Sequence, residues 1–98
     1  TDFSGIEQST FTSMEMAVYP NPTTGEINVQ ILSEEENTVQ IEVLDLLGRT
    51  LNLVGALTLA EGTQLFQVRL DEYPSGIYLI VLRGLDGERI ETLKVRKL

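Results

Sequence analysis

The sequence predicts an all-β chain, an immunoglobulin-like antiparallel β-sandwich of about seven strands. Three observations predict it. Short strand-like runs alternate with turn signals at the spacing of about 8–12 residues typical of two-sheet folds. No stretch holds a sustained helical period. The longest apolar run, Gly76-Ile77-Tyr78-Leu79-Ile80-Val81-Leu82, is rich in β-branched and aromatic side chains and has turn residues on both sides. Because both of its faces are apolar, it reads as a mid-sheet strand. Tyr78, Ile80 and Leu82 would face the core, with Leu79 and Val81 covered by something else.

In chain order, residues 1–16 are Ser/Thr-rich and weakly patterned, and read as a linker segment; residues 17–98 form the domain. Residues 17–19 make a first strand that ends at Pro20-Asn21-Pro22-Thr23-Thr24-Gly25. The prolines remove two backbone donors and push Tyr19 and Asn21 into extended conformations, which ends the strand and protects an edge. Residues 26–32 alternate, with Ile27, Val29 and Ile31 against Asn28 and Gln30. After the acidic loop Glu34-Glu35-Glu36, residues 38–44 alternate again. Asp45-Leu46-Leu47-Gly48 has Asp at the first and Gly at the fourth turn position, as a type I turn followed by a left-handed Gly prefers. Residues 49–58 are a strand with an irregularity expected near Gly55. Phe66, Val68 and Leu70 face inward along the next. The last hairpin joins residues 77–83 to 89–98 across Asp86-Gly87. A β-bulge near Glu91-Thr92 would bring Ile90 into line with Leu93 and Val95.

Composition narrows the function. The 98 residues suit one domain and include no cysteine and no histidine. Disulfides and thiol chemistry are therefore out, and the commonest general base is missing. Ser13, Ser33 and Ser75 stand where linkers and turns ordinarily carry serine. Glu34-Glu35-Glu36 and Asp71-Glu72 read as solvated loop charges without the ligand spacing of a calcium loop. No enzyme activity and no cofactor are expected. A net charge of −8 argues against nucleic acid. No apolar run approaches the roughly 20 residues a membrane-spanning helix needs. The chain begins at Thr1, and reads as part of something longer.

The charge is uneven. Residues 1–48 contain no Lys or Arg, and four of the seven basic residues, Arg89, Lys94, Arg96 and Lys97, fall in the last ten positions. Alone, these read as edge-strand charges that deter sheet-to-sheet association.

Four motifs taken in order change that reading: Val18-Tyr19-Pro20-Asn21-Pro22-Thr23-Thr24-Gly25, Val43-Leu44-Asp45-Leu46-Leu47-Gly48-Arg49, Tyr73-Pro74-Ser75-Gly76-Ile77-Tyr78 and Leu93-Lys94-Val95-Arg96-Lys97-Leu98. Together, over residues 17–98, they resemble the type A C-terminal sorting domain of the type IX (Por) secretion system. The resemblance implies an immunoglobulin-like sandwich and a delivery tag. It implies that the cargo domain lies upstream in the same chain and passes through the periplasm. On that resemblance the outer-membrane translocon and its shuttle proteins are expected to recognise the tag, a sortase to remove it, and the cargo to end secreted or on the cell surface. It assigns Pro20, Asn21, Pro22 and Gly25 to the first motif and Asp45, Gly48 and Arg49 to the second. Gly76 and Tyr78 belong to the third, and Lys94 to the basic end. Arg96 and Lys97 join Lys94 as the cations the fold needs least, and so as the recognition surface. Cleavage is expected before Ala17. Removing Lys94 to Leu98 is expected to strand the cargo in the periplasm with little effect on the remaining fold.

The other reading is a non-catalytic extracellular accessory sandwich for carbohydrate binding or adhesion, which would need an exposed aromatic platform. An unpaired edge could also recruit a second copy by strand pairing or by swapping the last hairpin, giving a homodimer.

Overall fold

Seven strands build two antiparallel sheets in the computed structural model, which describes residues 14–98. They are β1 (Met14–Tyr19), β2 (Glu26–Ser33), β3 (Asn37–Leu44), β4 (Thr50–Leu59), β5 (Gly62–Arg69), β6 (Gly76–Gly84) and β7 (Arg89–Lys97). One sheet has the order β1-β2-β5 and the other β4-β3-β6-β7. The chain crosses between layers at β2–β3, β4–β5 and β5–β6, which makes the two-sheet sandwich the alternation predicts.

The core lies between the sheets. Ile27, Val29 and Ile31 of β2 meet Val39, Ile41 and Val43 of β3 and Ile80 and Leu82 of β6, and all eight are fully buried. Each such side chain contributes about 1.5–3 kcal/mol on leaving water. On the outer side of β6, Val81 is also fully buried, in register between Glu42 and Thr92, while Leu79 is half-buried beside Lys94.

Several boundaries differ from the sequence reading. β1 begins at Met14, three residues ahead of the expected boundary, and Met14 and Met16 join the core. Three residues of alternation ahead of Ala17 are too few to announce a strand. The remainder of the expected linker, residues 1–13, lies outside the described residues. In β4 the partner of β3 jumps from Leu57 to Val54, the irregularity expected near Gly55. In β7 the extra residue is Ile90, since Leu82 faces Glu91 and Arg83 faces Arg89. The Asp86-Gly87 turn is a three-residue loop. Gly87 N–H donates to the Gly84 carbonyl, Gly84 N–H to the Glu88 carbonyl, and Gly87 takes φ 89°. The hairpin at Asp45 repeats this pattern, with Gly48 at φ 86°. A left-handed glycine is what this loop type requires.

Strand direction sorts the loops to two poles. Met14 pairs with Ser33 and Val39 with Gly84, so the start of β1, the acidic loop and the β6–β7 hairpin share one pole. Tyr19 pairs with Asn28 and Gly76 with Lys97 at the other. At about 3.3 Å per residue, an eight-residue strand separates them by roughly 25 Å.

Candidate functional site

All four sequence motifs end at the second pole. The first and the last are locked together there. The Asn21 side-chain amide donates to the Lys94 carbonyl at 3.0 Å, and its carbonyl oxygen accepts from Arg96 N–H at 2.9 Å. Two residues on, Thr23 N–H donates to the Arg96 carbonyl at 2.9 Å, and Leu98 N–H donates to the Thr23 carbonyl at 2.9 Å. Residues 21–23 thus cover the outer edge of β7, with Thr23 bridged in parallel to Lys97. Pro20 and Pro22, both after cis peptide bonds and both exposed, flank Asn21. Thr23 is 2% exposed, and its hydroxyl donates to the Glu26 carbonyl and accepts from Gly25 N–H. The Gly25 carbonyl accepts from Leu70 N–H at 2.6 Å, with the Asp71 side chain packed close by.

The second motif is a turn shaped by one carboxylate. Asp45 accepts from the N–H groups of Leu47 and Arg49, both at 2.9 Å, and its second oxygen meets the Arg49 guanidinium at 2.7 Å. The bond from the Arg49 backbone is the main cause holding the Asp45 carboxyl below its ordinary range. The turn sets Leu46 and Leu47 outside, 63% and 80% exposed. In the third motif, Gly76 opens β6 opposite Lys97, and Tyr78 faces the core and donates its hydroxyl to the Pro74 carbonyl four residues back. This is the tyrosine-corner arrangement of sandwich folds. The Tyr73 ring lies 5.8 Å away.

These pieces leave a shallow groove of about 320 Å³ on the outer side of the four-stranded sheet, lined by Asn21, Leu46, Ile77, Lys94, Val95 and Arg96. Each motif contributes at least one of these residues. Lys94 and Arg96 are exposed and Lys97 is half-buried. Among the described residues, none of the three cations forms an ion pair. Two wider depressions, of about 710 and 640 Å³, lie at the acidic pole and along the β4–β5 side.

The groove joins only part of the predicted set. Asn21, Lys94 and Arg96 line it, while Pro20, Pro22, Gly25, Asp45, Gly48, Arg49, Gly76 and Tyr78 hold turns and strand ends around it. Leu46, Ile77 and Thr23 stand within the quoted motifs, but the sequence assigns them no role. An apolar residue in a tight polar turn, such as Leu46, was the available signal. Among the described residues the one exposed aromatic side chain is Tyr19, so they present no aromatic platform. The expected independence of the last five residues also fails. Val95 is 1% exposed in the core, and Lys94, Arg96 and Leu98 anchor the first motif through their backbones.

A search of curated proteins found no match. The family model described as the secretion system C-terminal sorting domain matches residues 17–96, most of the chain. The chain belongs to that family: it is a type IX C-terminal sorting domain, a signal that directs an attached cargo through the outer membrane to the outside or the cell surface.

Proposed function

We propose that the motif-bearing pole is the face read by the outer-membrane translocon and its shuttle proteins, with Lys94, Arg96 and Lys97 as its charged component. Pro20, Asn21, Pro22, Gly25, Asp45, Gly48, Arg49, Gly76 and Tyr78 set the positions of those cations and of the groove. The observation that carries this reading is the convergence of residues from all four motifs on one groove, at the pole opposite the start of β1. A cargo upstream of β1 then trails away from the recognised face during transit through the periplasm. A sortase needs an extended, unpaired substrate, and residues from Met14 onward are paired in β1, so its cut falls before Met14. Because Asn21 and Thr23 occupy the β7 edge, any homodimer by strand pairing forms at β1, β4 or β5, the other outer strands of the two sheets among the described residues.

The test fuses the 98-residue chain to an inert exported reporter in a host with a working type IX system. The intact fusion reaches the surface, and the Lys94→Gln, Arg96→Gln, Lys97→Gln triple variant stays in the periplasm with its circular dichroism spectrum unchanged. Surface delivery of the folded triple variant at the parent level would refute the assignment of these cations.

A further inference from the structure

We infer that the groove takes a short extended peptide segment of a partner protein, bearing two carboxylates two residues apart with an apolar side chain two residues beyond, all on one face. This rests on the motif-bearing pole being the recognised face, and it specifies the chemistry of what binds there.

The backbone at this edge is already used. Lys94 C=O, Arg96 N–H and C=O, and Leu98 N–H are taken by Asn21 and Thr23. A partner therefore cannot add itself to β7 as a further strand along this stretch, the usual way an extended peptide docks on a sheet edge. It must read side chains on the outer face. Those side chains have a definite pattern. Lys94 and Arg96 are alternate residues of one strand, so they point to the same side about 7 Å apart. Their β6 neighbours in register are Leu79 and Ile77, and Leu46 reaches the same groove from the β3–β4 turn. Carboxylates two residues apart on an extended peptide have the same spacing of about 7 Å. Charge complementarity and the apolar lining therefore select an acidic segment with an apolar anchor. Lys94 and Arg96 are the charged side chains that line the groove, so it attracts such a segment locally although the chain as a whole carries a net −8.

The test records amide shifts of the labelled 98-residue chain on titration with the blocked peptide Asp-Ser-Glu-Ser-Leu. Shifts at Ile77, Lys94 and Arg96 are expected. Binding should weaken about tenfold in the Lys94→Gln, Arg96→Gln variant and by a similar factor when the peptide leucine becomes serine. Three results would each overturn the proposal: equal response to Lys-Ser-Lys-Ser-Leu, no response up to about 10 mM peptide, or binding to phosphatidylglycerol vesicles without a peptide response. The reporter fusion separates the two failures. If the fusion with all three cations neutralised reaches the surface like the parent, the recognised pole falls; if it is retained but the peptide result is negative, the peptide alone falls.

Discussion

Asn21 and Arg96 stand 75 residues apart, yet the Asn21 side-chain carbonyl accepts the Arg96 backbone N–H at 2.9 Å while its amide reaches the Lys94 carbonyl. One side chain thus takes the place of a neighbouring strand on an edge that would otherwise offer bare hydrogen-bonding groups. It also explains how prolines suit this position. They have no N–H to satisfy, and they leave the pairing of β7 to the asparagine between them.

Replacing Asn21 by Ala removes both bonds and should destabilise the chain by about 1–3 kcal/mol. Asp at this position keeps the acceptor but turns a carboxylate oxygen toward the Lys94 carbonyl, and should be at least as disruptive. Urea unfolding gives the magnitude. Amide exchange gives the location, with Arg96 and Leu98 losing protection before the strands at the centre of the sheets. Unchanged protection at Arg96 would show that the bond contributes nothing.

Deleting Lys94 to Leu98 removes a buried Val95 and the Lys94, Arg96 and Leu98 backbone groups that bond to Asn21 and Thr23. The loss should be on the order of 3 kcal/mol or more. Such a truncation therefore cannot separate recognition from folding, whereas glutamine at the three cations can. Calorimetry of the truncated and charge-neutral chains should show a large drop in melting temperature for the first and little change for the second.

Tyr78→Phe removes the hydroxyl bound to the Pro74 carbonyl and leaves the ring in the core. About 1–2 kcal/mol should be lost in urea unfolding. Delivery of a fused reporter should persist as long as the variant is folded, because Tyr78 lies inside the sandwich. Loss of delivery from a fully folded Tyr78→Phe chain would give this residue a direct part in recognition.

At Gly25 the limit is space. A Cβ there would come 3.1 Å from the Asp71 Cβ. Neighbouring backbone bonds, from Gly25 N–H to the Thr23 hydroxyl and from Leu70 N–H to the Gly25 carbonyl, leave little room to move away. Gly25→Ala should lower stability by about 1–3 kcal/mol, the usual range for overpacking. A chemical-denaturation midpoint equal to the parent's would show that the loop gives way freely.

The sandwich was legible because alternation at Ile27, Val29 and Ile31, and again at Val39, Ile41 and Val43, has no helical counterpart. Asp45 and Gly48 announced their turn for an equally local reason. The start of β1 was hidden because Met14 and Met16 alternate over too short a window. The groove was hidden for a different reason. Leu46, Ile77 and Arg96 meet only after β3, β6 and β7 have paired, and nothing in a linear pattern records which pole a loop reaches. The lock on β7 depends likewise on Asn21 and Thr23 acting as a substitute strand. Their residue types suggested only a turn.

Acid should unfold this chain from one side only. Glu42 is held below its ordinary value of 4.5, first by the Thr50 hydroxyl and then by Arg83. Asp45 and Asp71 lie below theirs of 3.8, chiefly through the Arg49 backbone and the Arg69 side chain respectively. A carboxyl whose folded value is lowered binds its proton less readily in the folded chain than in the unfolded one. Its contribution is therefore complete above the unfolded value and disappears as pH falls through the folded one. The chain has no histidine, so no imidazole titrates near neutrality. Urea midpoints should be flat from about pH 8 to about pH 5.5 and fall below about pH 4.5. Glu42→Gln should lower the plateau and flatten the acid limb, since glutamine cannot lose the charge that pairs with Arg83. A fall in stability between about pH 8 and pH 6 would mean that some other group couples to folding.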